Sequence, residues 1–134
     1  MKIFIEQKII NAVQELLTGK VNELLKELQI VVPLIEFGNY ESTDVVVPVI
    51  LLNTCECTEK ERIIKIDAYT LTITFNFSDT KKSELFSYAY SAAVKQALSD
   101  NPTLDSVVDR GTVITKKYDD TKLILTLRLI VRKR

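Results

Sequence analysis

Histidine and tryptophan are absent from these 134 residues, glycine and proline occur three times each, and cysteine occurs twice. Each shortage removes a class of chemistry. Without histidine, Ser78, Ser83, Ser87 and Ser91 have no imidazole to activate them, so a Ser-His-Asp arrangement cannot be built. Cys55-Glu56-Cys57 is the only cysteine cluster. A zinc site would need two further soft ligands, and the composition does not supply them. The pair also lacks the two-residue spacer of a redox motif, and reduced thiols without a catalytic role are the expectation for an intracellular chain. Gly19, Gly38 and Gly111 lie far apart, so there is no glycine-rich loop to cradle a phosphate. Asp119-Asp120 and the Glu59/Glu61 pair fall in expected turns, where acids are solvated and no poised general base accompanies them. No catalytic, cofactor-binding or metal-binding residue is expected.

Long apolar runs are missing as well. None approaches the roughly 20 residues needed to cross a bilayer as a helix, so no membrane partner is expected. The apolar start Met1-Lys2-Ile3-Phe4-Ile5 is interrupted by Glu6 and Lys8 and does not read as a signal peptide; synthesis inside the cell is expected. A charge excess is also lacking: 18 basic residues balance 18 acidic ones. A general nucleic-acid binder carries a basic excess, so Lys116-Lys117 and Arg132-Lys133-Arg134 read first as a solvated hairpin face. The charge is unevenly spread, however. Residues 110–134 hold eight basic against two acidic residues, a surplus of +6, which leaves −6 on residues 1–109. Glu36, Glu41, Asp44, Glu56, Glu59 and Glu61 gather acid in the middle. A chain with an acidic and a basic end suits head-to-tail contact with itself or with charged partners.

What is present is a succession of patterned segments. Ile9, Val13, Leu16, Leu17, Leu24, Leu25 and Leu28 recur at three- and four-residue steps, which predicts a helix over 4–28. Gly19 marks a possible break, with a second short helix from Lys20 to Leu28. Pro33 ends the pattern. Glu36 to Asp44 reads as a loop. Val45 to Leu52 is the first expected strand, placed at an edge or carrying a bulge because Pro48 cannot donate to a ladder. Asn53 to Glu61 reads as a polar connection, and Arg62 to Phe77 as a long strand. Its apolar parity changes near Ala68, which implies a bulge there or a strand covered on different faces in its two halves.

Ser78-Asp79-Thr80 supplies N-cap oxygens for a helix running to about Ser99, and Asn101-Pro102 stops it. Ala89, Ala92, Ala93 and Ala97 make that helix narrow enough to approach a sheet closely. Gly111 to Tyr118 and Thr121 to Arg132 form a hairpin around Asp119-Asp120, with Leu123, Leu125, Leu127, Leu129 and Val131 on one face. The expectation is one domain, residues 1–134, of the α+β class in the order α-β-β-α-β-β, with a mainly antiparallel four-stranded sheet.

The stretch Ala93-x-x-x-Ala97-Leu98, Asp100-Asn101-Pro102-Thr103-Leu104, Val107-Val108 and the closing hairpin resembles the tail terminator (tail completion) proteins of tailed bacteriophages and prophage particles. The order of the remaining elements agrees over most of the chain. Many members carry glycines after the leucine, where this chain has Asp105-Ser106. The resemblance implies two long helices packed on one face of the sheet. It also implies a homohexameric ring that caps the tail tube, ends its polymerisation and presents a surface to the head connector. The implied partners are further copies of the chain, the tail tube protein and the head-tail connector protein, with DNA only as passing cargo and no cofactor. The implied location is the host cytoplasm during assembly and the head-proximal end of the virion tail.

A closing ring needs heterologous contacts. The expected contact residues are Val45, Val47 and Val49 on the first strand, Glu56, Glu59 and Glu61 beyond it, and Lys116, Lys117, Arg128 and Arg132 on the basic hairpin. The alternatives are another head-tail neck or minor tail protein, a non-viral α/β binding module, and a small carboxylate enzyme.

Overall fold

A computed structural model describes residues 4–29, 31–38, 45–58, 65–77, 80–119 and 121–133. The fold is α+β. Helix α1 (Ile5–Leu16) continues through a wide π turn (Leu17–Val21) into α2 (Asn22–Lys26). Strands β1 (Leu34–Ile35) and β2 (Val45–Val46) follow, then β3 (Val49–Thr58), β4 (Lys65–Asn76), helix α3 (Thr80–Asp100), β5 (Arg110–Asp119) and β6 (Lys122–Lys133). The main sheet has the order β3-β4-β6-β5, antiparallel throughout, and β1 and β2 make a separate two-stranded parallel ladder.

Gly19 does not break the first helix. The chain stays right-handed from Leu17 to Asn22, and the turn widens instead. Two side chains reach back to carbonyls four residues earlier: Thr18 Oγ1 donates to the Gln14 carbonyl at 2.9 Å, and Asn22 Nδ2 to the Thr18 carbonyl at 3.2 Å. Such back-bonding competes with the helical ladder and loosens it locally, and a single widened turn is how helices absorb an extra residue. The apolar stripe survives this, and Ile9, Val13, Leu16, Leu17, Val21 and Leu25 are all buried.

The sheet buries one face. Leu71, Ile73 and Phe75 of β4 and Leu123, Leu125, Leu127 and Leu129 of β6 point to the helices, together with Tyr90, Val94, Ala97 and Leu98 of α3. Tyr90 stacks on Phe75 and Phe77, with ring centroids 5.3 and 5.5 Å apart. The opposite face carries Thr70, Thr72, Thr74, Thr126 and Arg128, none of them buried. Alternation along each strand separates the two faces.

Several expectations need correction. The first strand is two pieces: Val45–Val46 belongs to the small parallel ladder, and β3 runs on through Asn53–Thr58, which reads as a connection by composition. Pro48 lies between the pieces, outside either ladder, because it has no N–H to give. Strand β4 has no bulge near Ala68; its register with β3 and β6 is unbroken from end to end. Ala68 and Tyr69 are both buried, so the parity change reflects cover on both faces at that point. The irregularity sits instead in β5, between Val113 and Thr115. The cap at Ser78-Asp79, the loop residues 39–44, the strand start at Arg62–Ile64 and Asp120 lie outside the described residues.

Candidate subunit interface

With the order β3-β4-β6-β5, the sheet ends in two edges, β3 and β5. An edge strand presents a row of backbone donors and acceptors that another strand can pair with. The two edges differ in character. On β3, Val49 and Leu51 are 52% and 61% exposed, and Val47 just before them is 44% exposed. Alternation turns these side chains away from the helices. Large apolar side chains grouped on an edge mark a contact surface more often than isolated ones do.

The β5 edge is shaped by its bulge. Before it, Gly111 and Val113 share the helix-side face with Leu129 and Leu127. Ile114 is the extra residue and is 50% exposed. After it, Lys116 pairs with Leu125 and Lys117 with Ile124, so the two lysines part company. Lys116 turns to the helix side, where its Nζ lies 4.6 Å from the centre of the Tyr88 ring, a cation–π distance. The Tyr88 hydroxyl donates to Glu84 Oε1 at 3.0 Å, and that carboxylate holds the phenol above its ordinary pKa. Lys117 faces the open side.

Between α3 and β5 runs a groove made of two adjoining hollows of about 440 and 420 Å³ that share Lys95 and Val113. Its floor is apolar, from Ala92, Leu98 and Val113, and its rim holds Lys95, Arg110 and Lys116. Among the described residues, no acidic side chain lines either hollow.

The register places the expected contact residues relative to one another. Val49, Thr74, Ile124 and Lys117 lie in one row across the sheet, and Leu51, Thr72, Thr126 and Thr115 in another. Cys55, Ala68, Ile130 and Arg110 form a third. Glu56, one residue past Cys55 and paired with Asp67, is thus at the end of the sheet away from Lys116 and Lys117. Val45 is apart from all of these, paired with Leu34. Arg128 is exposed on the open face, in register with Thr70 and Thr112. Arg132 is exposed too, and its backbone N–H donates to Asp109 Oδ2 at 2.6 Å. Glu59 and Glu61 lie outside the described residues.

Leu51, Ile114, Lys95 and Arg110 join the candidate surface without having been named as contact residues from the sequence; Tyr88, which the sequence marks as a core-edge or interface group, joins it too. Leu51 is hidden there in the unbroken apolar run Val49-Ile50-Leu51-Leu52, where only pairing shows which residues turn outward. Among the described residues no cluster of three or more His, Cys, Asp or Glu is placed to hold a metal ion. No described helix is long and apolar enough to cross a membrane. Comparison with protein-family models gives no match. Comparison with curated proteins also gives no match.

Proposed function

We propose that this chain is a structural assembly subunit of the tail terminator type. It forms a closed ring of six copies that caps a tail tube, stops its growth and offers the other surface to a head connector. DNA passes through the ring without being read, and the chain performs no catalysis. The observation that carries this reading is the pair of unlike edges at opposite sides of one sheet. Surfaces that differ on the two sides suit heterologous contacts, which form a ring when the rotation between copies closes.

A second observation supports the same reading. Leu104, Asp105 and Ser106 all adopt positive φ, at 49°, 58° and 71°. Left-handed backbone of this kind is where glycine is favoured, and it falls on the segment where many tail terminators have glycines. The chain holds the conformation without them.

The competing reading is a monomeric binding module, favoured by the open groove between α3 and β5. Light scattering across a wide concentration range separates the two, followed by negative-stain imaging of the largest species. A closed particle near six times 15.3 kDa that binds the head-proximal end of tail tubes supports the ring. A strict monomer at every concentration favours the binding module.

A further inference from the structure

We infer that β3 of one copy adds as a strand to β5 of the next, antiparallel, with Val49 beside Lys117 and Leu51 beside Thr115, closing over the groove along α3. The inference rests on the ring reading and specifies the contact that builds it.

Direction comes first. Each neighbour in the order β3-β4-β6-β5 is antiparallel, so β5 runs opposite to β3. A second copy set alongside in the same orientation therefore presents its β3 antiparallel to β5. Hydrogen bonding agrees. Across any row of an antiparallel sheet, bonded and non-bonded pairs alternate. Four strands per copy keep that alternation in phase from one copy to the next, so the row through Leu51 continues past Thr115 without a mismatch. The bulge lies before Thr115, and the ladder from Thr115 to Asp119 is regular.

The side chains match in the same rows. The exposed apolar residues of the β3 edge, Val49 and Leu51, share rows with Lys117 and Thr115, next to exposed Ile114. Addition covers apolar surface on both partners at once. At the other end, Arg110 shares a row with Cys55. Pairing of β5 with β5 would instead bring Lys116 and Lys117 against their own copies. Lysines on edge strands discourage such self-pairing, and here they leave the β3 edge as the favoured partner.

The test uses chains in which Cys55 and Cys57 are replaced by Ser. One chain carries Leu51→Cys, another Thr115→Cys with a mass tag, and the mixture is oxidised. The expected result is a covalent pair containing one chain of each kind, absent when either is oxidised alone. In parallel, Leu51→Lys should reduce the ring to the 15.3 kDa chain with unchanged far-UV circular dichroism, and adding Thr115→Glu to the same chain should restore the ring. A ring that forms without the mixed disulfide and survives Leu51→Lys overturns this contact and leaves the ring reading standing. Leu51→Cys chains that link to themselves overturn it in favour of a two-fold dimer. Monomers in every mixture, with no disulfide, overturn both the contact and the ring.

Discussion

Asn22 and Ile35 exchange two hydrogen bonds: Asn22 Nδ2 donates to the Ile35 carbonyl and the Ile35 N–H donates to Asn22 Oδ1, each at 2.8 Å. Both residues are buried. The side-chain amide acts as a one-residue strand, filling both backbone groups of β1 on the side away from β2 and fixing that segment to the widened turn of the first helix. Asn22→Leu leaves a buried donor and a buried acceptor without partners, at about 1–3 kcal/mol for each group. The expected loss is about 2–6 kcal/mol in urea unfolding. Asn22→Asp keeps the acceptor, loses the donor and buries a charge, so it should be no milder. A loss below 1 kcal/mol for both variants would show that the pair contributes little.

Tyr90 joins the same segment to α3. Its ring stacks on Phe75 and Phe77 and its hydroxyl donates to the Pro33 carbonyl. Burial pushes the phenol well above its ordinary pKa of 10.0. The folded state therefore keeps a proton that the unfolded chain releases. Stability from this group is complete below pH 10.0 and is lost as pH rises from there through the folded pKa, by up to about 1.4 kcal/mol per pH unit. Tyr90→Phe keeps the stack, loses about 1 kcal/mol near neutrality through the missing bond, and should flatten the alkaline slope. Denaturation midpoints of both proteins on either side of pH 10 check this; parallel slopes would assign the loss to other groups.

Much of this architecture is written in local pattern. The three- and four-residue spacing from Ile9 to Leu25 marks the first helix, and the alternation from Leu123 to Leu129 marks β6, because one buried face imposes one period. What is not local is not legible. Asn53 to Thr58 has the polarity of a loop and becomes strand because β4 supplies ladder partners from Thr70 to Lys65. Gly19 looks like a break, yet the chain stays helical through it as a widened turn in which Thr18 and Asn22 bond back to carbonyls four residues earlier. Val113-Ile114 gives no sign of the bulge, since both residues suit a strand. The candidate surface divides in the same way. Val47 and Val49 are visible as an edge beside Pro48, whereas the row that joins Leu51 to Thr115 exists only after three strand pairings, one of which, β4 with β6, spans a long stretch of sequence.

Two glycines should respond in opposite directions. A Cβ at Gly111 would lie 2.8 Å from Leu129 Cδ2, 3.1 Å from Leu98 Cδ1 and 3.4 Å from the Pro102 carbonyl oxygen. This close approach seats β5 against the end of α3, and Gly111→Ala should cost about 1–3 kcal/mol by overpacking. Gly19 has nothing within 4 Å of its Cβ position and sits in helical backbone. Gly19→Ala should stabilise by up to about 1 kcal/mol through helix propensity. Thermal melts of the two variants give opposite shifts if the contacts at Gly111 are as tight as drawn; a neutral Gly111→Ala would mean that Leu129 and Leu98 move aside freely.

The turn after α3 offers a stabilising change with a mechanism. Leu104, Asp105 and Ser106 lie successively in the left-handed region, which costs roughly 1–2 kcal/mol per non-glycine residue. The surroundings impose this conformation. Leu104 and Val108 are buried, Val108 N–H donates to the Thr103 carbonyl at 3.0 Å, and the Asn101 and Thr103 side chains accept from the N–H groups of Asp105 and Ser106. Ser106 is exposed, so its side chain holds nothing in place. Ser106→Gly removes the steric cost and gives back about 0.5–1 kcal/mol as added freedom of the unfolded chain, for an expected net gain of about 0.5–1 kcal/mol. Thr103→Val should act the other way, losing about 1 kcal/mol with the hydroxyl that serves the Ser106 amide. Leu104→Gly relieves the same backbone cost but removes a buried side chain, and should be destabilising on balance. A melting temperature that falls for Ser106→Gly would mean that the serine backbone is at ease in this turn and that the segment is held by its hydrogen bonds alone.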